Sequence, residues 1–147
     1  MSDEPSLPVL RQTVLDCTDA RALAEFYRRL LGWRYRPGDE PPAPGEPDPA
    51  GADWLVLRNP PGPGLAFQQV PELPRSTWPE PGVPQQLHLD LTVPDAAELD
   101  RQHARVLELG ATLSLDRSAD PEEPLRAYAD PAGHPFCIFV AEQPPGG

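Results

Sequence analysis

Apolar and polar positions alternate from Val9 to Cys17, with Val9, Thr13, Leu15 and Cys17 on one side and Leu10, Gln12, Val14 and Asp16 on the other. A period of two predicts a strand. The period then changes: Leu23, Phe26, Tyr27, Leu30 and Leu31 recur at helical spacing. Thr18 or Asp19 can accept from the free amides of the first turn, and Gly32 can take the left-handed conformation that ends a helix. Short strands are predicted at 33–36, 53–57 and 65–70, the last two joined by a turn through Asn59-Pro60-Pro61-Gly62.

The second half repeats this order. Leu87, Leu89, Leu91 and Val93 alternate with His88, Asp90 and Thr92. Asp95 and Glu98 have capping-box spacing, with Asp95 as the cap. Leu99, Val106 and Leu107 line a helix that stops at Gly110, and strands follow at 112–115, 125–129 and 136–140. The turn Asp130-Pro131-Ala132-Gly133 parallels Asn59 to Gly62. Laying Asp19 on Asp95 gives an offset of 76 residues and brings Gln12 onto His88 and Val14 onto Asp90. Such self-similarity predicts a duplicated unit of one helix and about four strands. Two such sheets can close their bare faces around a common hollow.

Between these segments, residues 37–51 hold six prolines and no periodicity, which predicts either a lid or a disordered loop. Residues 71–85 are also proline-rich, contain Trp78, and read as the linker between the two units. The remainder, 8–141, forms one domain: module 1 at about 8–70 and module 2 at about 86–141, with flexible tails at 1–7 and 142–147.

Composition adds exclusions. With 147 residues the chain is long enough for a real core. The 23 Pro and 11 Gly are clumped between apolar segments, so they read as loop punctuation. All 12 basic residues are Arg, which a GC-rich coding bias explains. A net charge of −11 disfavours nucleic-acid and membrane-surface partners, which are themselves anionic. The acidic, proline-rich start carries no signal-peptide pattern, and no apolar run is long enough for a bilayer span, so a soluble, cytoplasmic protein is expected. Cys17 and Cys137 lack metal-type spacing and are expected as reduced thiols, with a disulfide as the alternative. Nucleophile elbows, phosphate-cradling glycine loops and CxxC motifs are absent.

The string from Asp19 through Phe26-Tyr27 to Leu31-Gly32 resembles the D-x6-F-Y-x3-L-G signature of the vicinal oxygen chelate superfamily. That superfamily includes glyoxalase I, fosfomycin and bleomycin resistance proteins, and extradiol dioxygenases. Leu87 to Asp95, Leu109-Gly110 and Asp130-Pro-Ala-Gly-His-Pro-Phe-Cys137 extend the likeness over 8–141. The resemblance implies an α+β fold of two tandem βαβββ modules, whose strands form a cupped mixed sheet around one central cavity. It also implies a small-molecule ligand and a homodimer.

Metal-dependent members place ligands on the first and last strands of each module. Carried over, those positions fall on Gln12, on Phe67 or Gln68, on His88 and on Cys137. Asp90 shares the His88 face but is not a standard ligand position. The usual carboxylates are gone, so no divalent metal (zinc, nickel, iron or manganese) is favoured. A Gln12, His88, Cys137 set for zinc is the alternative. His88 then reads as a hydrogen-bonding residue facing a pocket and Cys137 as a small apolar one. Arg126 and Tyr128 alternate on the seventh strand and are expected to reach the cavity, where Arg126 would suit an anion. Phe67, Trp54 and Trp78 are further wall candidates, with plain core packing the alternative for the first two. His134 is expected to serve turn geometry, and His103 to sit at the edge of the second helix. Two functions follow: a metal-independent binding protein that sequesters or processes a small metabolite or antibiotic, and a metal-dependent lyase, isomerase or dioxygenase. A non-catalytic interaction module with a filled cavity is the third.

Overall fold

The computed structural model describes residues 6–141; of the tails expected at 1–7 and 142–147, residues 1–5 and 142–147 lie outside the described residues. The order of elements is β1 (Gln12–Cys17), α1 (Ala20–Leu31), β2 (Arg34–Tyr35), a one-turn 3-10 helix (Ala50–Ala52), β3 (Trp54–Asn59), β4 (Gly62–Gln69), β5 (Leu89–Val93), α2 (Ala96–Leu109), β6 (Thr112–Arg117), β7 (Leu125–Ala129) and β8 (Pro135–Val140). The architecture is α+β, and the duplication is exact in topology. Each module is a four-stranded mixed sheet, ordered β1-β4-β3-β2 in the first and β5-β8-β7-β6 in the second. Within each, the first strand pairs in parallel with the last and the remaining pairs are antiparallel.

The caps are those the sequence announces. Asp19 accepts from the Ala22 amide at 3.0 Å and Asp95 from the Glu98 amide at 2.9 Å. Gly32 and Gly110 end the helices at φ 71° and 116°, a region that a Cβ penalises. The first strand is shorter than its alternation predicts. The Gly64 amide bonds to the Arg11 carbonyl, and β4 then turns away through Pro60-Pro61, so Val9 and Leu10 find no ladder partner and are largely exposed.

The two modules share one core. Leu15, Leu55 and Phe67 of the first sheet and Val93, Phe136 and Ile138 of the second are all buried in it, with Leu23, Phe26, Tyr27, Leu99 and Val106 of the helices. A row of aromatic rings crosses from sheet to sheet. Phe67 stacks on Tyr27 at 5.9 Å, Tyr27 meets Phe136 edge-on at 6.2 Å, and Phe136 stacks on Tyr128 at 5.3 Å. Each such pair adds about 0.5–1.5 kcal/mol beyond the area it buries. The helix-bearing faces are therefore the shared ones, and the opposite strand faces are left for chemistry.

The loop at 37–51 is ordered and tied to module 1. The Arg21 guanidinium forks onto Asp48 at 2.8 and 2.9 Å and also donates to the Asp39 carbonyl at 2.7 Å. The buried Asp39 carboxylate accepts from the Val56 amide of β3 at 2.9 Å. Charge-assisted bonds of this kind hold the loop against module 1. No described helix is long and apolar enough to cross a membrane.

Candidate functional site

On β1, Leu15 and Cys17 turn into the core, so Val14 and Asp16 occupy the bare face. The parallel neighbour β4 places Gln68 opposite Asp16 on that same face. Across from them run the linker and the start of module 2. Together these walls enclose a cleft of about 480 Å³. Its apolar lining comes chiefly from Val14, Leu73, Val83, Leu87 and Pro135. Its polar groups are Asp16, Gln68, Ser76, Gln85, Gln86 and His134. The volume suits a small organic molecule.

Three sets of bonds hold the walls of the cleft, two of them in the linker. The Arg75 guanidinium donates to the Pro131 carbonyl at 2.9 Å. Thr77 closes a tight loop: its amide donates to the Val83 carbonyl at 2.8 Å, and its hydroxyl accepts from the Val83 amide at 2.9 Å. The imidazole of His134 reaches the Asp16 carbonyl, Nε2 to O 2.6 Å. A carbonyl only accepts, so Nε2 carries the proton. His134 thus does more than shape its turn: it ties the mouth of module 2 to β1. The turn itself is built on Asp130, which is buried and accepts from Tyr27 Oη at 2.6 Å and from the Ala132 and His134 amides at 2.8 and 3.0 Å. Burial pushes its carboxyl above the ordinary range, and the hydrogen bond from Tyr27 opposes that shift.

The bare face of the second sheet carries a second polar feature. His88 precedes β5, and Asp90 pairs with Cys137 of β8. His88 Nε2 lies 3.2 Å from Asp90 Oδ1. One donor atom from each of His88, Asp90 and Cys137 lies within 4.8 Å of the others. His88 and Asp90 are exposed and Cys137 is half-buried. Burial, and after it the charge of Asp90, push the Cys137 thiol up. Imidazole, carboxylate and thiolate are a donor set for a borderline-soft ion such as zinc, which takes three protein ligands and keeps one position open. The set suits hard ions poorly, because it offers a single carboxylate. Cys137 would have to release its proton on binding, so such a site strengthens with rising pH. This group adjoins the cleft by sequence: His88 follows the lining residue Leu87, and Cys137 is two residues along the same strand face from Pro135.

The expected residues therefore divide. His88, Asp90 and Cys137 come together, with Asp90 in the place expected of Gln12. Gln12 lines a different depression, beside Arg36, Arg58 and the 59–62 turn. Gln68 faces the cleft. Phe67, Arg126 and Tyr128 do not. Phe67 is fully buried against Tyr27. Tyr128 is fully buried against Phe136, with its hydroxyl 2.8 Å from Nδ1 of His103. Arg126 lies along α2, bound to Asp100 at 3.1 Å and Asp116 at 3.3 Å. The strand alternation was right, but the inward face is the helix-bearing one, and the small Ala127 and Ala129 occupy the bare side. Trp54 and Trp78 are half-buried, and neither lines the cleft. Both cysteines are free. Cys17 is buried, and burial pushes its thiol to about 11, which leaves it unreactive. Sequence reading missed Val14 and Asp16 of β1 and, in the linker, Leu73, Val83 and Gln85. For the linker, two apolar side chains among prolines, Leu73 and Val83, were the available signal.

Comparison with known proteins agrees with this architecture. No curated protein matches by sequence. Among solved structures, a possible glyoxalase from Bacillus cereus superposes with TM-score 0.62 at 17% identity, covering 90% of this chain and 98% of that one. The fosfomycin resistance protein FosX from Mesorhizobium loti gives 0.63 at 15% identity, covering 92% and 94%. A glyoxalase/dioxygenase from Nostoc punctiforme gives 0.62 at 22% identity, covering 97% and 100%. At these identities the likeness establishes the fold. The sequence pattern of the glyoxalase-like domain matches residues 12–139, so the chain belongs to the glyoxalase-like family of the vicinal oxygen chelate superfamily.

Proposed function

We propose that this protein binds a small organic molecule non-covalently in the cleft between β1, the linker and the 132–135 turn, and that it acts by holding that molecule. The observation that carries the reading is the cleft itself, about 480 Å³ with mostly apolar walls and a few convergent polar groups. No nucleophile with an adjacent base lines it. Neither cysteine is among its lining residues. Native mass spectrometry of protein purified gently from cells tests this. A bound small molecule is expected, and Val83→Trp, which fills the cleft, should abolish it. An adduct that survives Val83→Trp would place the ligand elsewhere.

A second reading is favoured by the His88, Asp90, Cys137 group: a zinc-dependent lyase, isomerase or dioxygenase. A zinc ion there would supply Lewis acidity toward a ligand oxygen. Elemental analysis of protein purified without chelator separates the two. Near-stoichiometric zinc that is lost in His88→Ala supports the second reading, and metal-free protein that still carries its ligand supports the first.

Both readings take the protein as a homodimer. Leu113 at 43% exposure, and the segment Leu7 to Leu10 at 69–88% for its apolar residues, leave hydrophobic surface that a second copy would cover.

A further inference from the structure

The cleft is selective in charge. No Arg or Lys lines it, and its one acidic side chain is Asp16. Arg126 is paired with Asp100 and Asp116, and Arg75, which keeps its charge, is directed onto the Pro131 and Asp130 carbonyls and is not itself in the lining. Among the described residues the Asp16 carboxylate has no ion-pair partner. An anion entering this space would give up its hydration and meet a carboxylate in exchange, in a protein of net charge −11.

The second observation is an unmet acceptor. Gln85 Oε1 is buried and has no hydrogen-bond partner. Gln85 lines the cleft, in the linker wall. A buried acceptor without a donor is costly, and native structures leave few of them. The atom has no accessible surface as it stands, so a ligand O–H or N–H satisfies it once the Gln85 amide swings toward the cleft, while the surrounding Val83, Pro84 and Leu87 take an apolar body.

Resting on the reading of the cleft as the binding site, we infer that its occupant is an apolar molecule, neutral or cationic, that donates a hydrogen bond to Gln85, and that anionic ligands are excluded. Asp16 then adds attraction for a cation at the mouth, and Gln85 reads the donor.

Four naphthalene derivatives of one shape test this by titration calorimetry: naphthylmethylamine, naphthylmethanol, its methyl ether, and naphthoate. The amine and the alcohol should bind, the ether about tenfold more weakly than the alcohol, and the carboxylate weakest. Gln85→Leu should erase the preference for alcohol over ether. Asp16→Asn should weaken the amine about threefold relative to the alcohol. Thermal midpoints of both variants report whether the fold is intact. Naphthoate binding as tightly as the amine, or an alcohol preference that persists in Gln85→Leu, would overturn the inference. If all four bind alike and Val83→Trp displaces them, the cleft reading stands and the selectivity falls. If binding ignores Val83→Trp, the cleft reading falls and the selectivity with it.

Discussion

The Tyr27 hydroxyl donates to Asp130 Oδ2 at 2.6 Å, across 103 residues of sequence, with both side chains fully buried. Tyr27 belongs to the helix of module 1 and Asp130 to the last turn of module 2. The bond therefore joins the duplicated halves, and it does so beneath the turn that forms one wall of the cleft. Removing the hydroxyl leaves the carboxylate buried and short of a donor. Tyr27→Phe should cost about 2 kcal/mol in chemical denaturation. The loss should exceed that of Tyr35→Phe, because Tyr35 bonds to the part-exposed Glu25 at 2.7 Å.

The buried carboxylate and the exposed ones pull the pH profile in opposite directions. Burial raises the Asp130 carboxyl, so between its ordinary and raised values the native state holds a proton that the unfolded chain has lost, and this group alone favours the fold as pH falls. Asp116 behaves oppositely. Its bonds to Ser118, side chain and backbone, lower it from 3.8 to about 2. Glu25 and Asp48 are lowered as well, chiefly by Arg28 and Arg21. Their contributions are present above the unfolded value and vanish as pH falls through the folded one. Asp120 is lowered too, by the Glu122 and Glu123 amides, so four lowered carboxylates stand against one raised, and stability should decline from pH 4 toward about 2. The gap between wild type and Asp116→Asn, measured by thermal unfolding, should be present at pH 6 and close across that window.

Arg21 fixes the proline-rich loop. Its side chain is mostly buried, and it serves Asp48 and the Asp39 carbonyl at once. Arg21→Ala should release residues 38–53, and hydrogen exchange at Gly51 and Val56 should accelerate about tenfold while α2 is unaffected. Arg21→Lys should recover little, since one ammonium cannot reproduce the fork onto Asp48.

Much of this architecture is legible in the chain because it is local. Asp19 and Gly32, or Asp95 and Gly110, mark helix ends through bonds within a few residues. Leu125 to Ala129 reads as a strand because its alternation is intrinsic. The loop at 37–51 was misread because what orders it is Arg21, sixteen residues before it, and no periodicity announces that pairing. Arg126 and Tyr128 were assigned to the cavity for a related reason. Alternation separates two faces without saying which meets the helix, and Tyr128 is amphipathic enough for either. The family resemblance located His88 and Cys137 but pointed to Gln12 rather than Asp90. The register that sets Asp90 beside Cys137 comes from strand pairing, which one sequence does not display. Gln85 was invisible for the simplest reason: an isolated amide among prolines becomes part of a cleft wall only when the linker folds back.

That wall depends on one close approach. Gly133 sits at φ +95°, and a Cβ there would lie 3.0 Å from the Arg75 side chain, the same chain that donates to the Pro131 carbonyl. Gly133→Ala therefore has two costs: the strained backbone, on the order of 1–2 kcal/mol, and the displacement of Arg75 from its carbonyl. Arg75→Ala removes the second alone. The double variant should be no less stable than Gly133→Ala, because the clash is gone, yet it should not regain wild-type stability, because the backbone strain persists. All three should weaken naphthylmethanol binding, since Leu73, Pro74 and Ser76 lose the anchor that holds them over β1. Unchanged affinity in Arg75→Ala would mean that the Thr77 loop alone suffices to keep the wall in place.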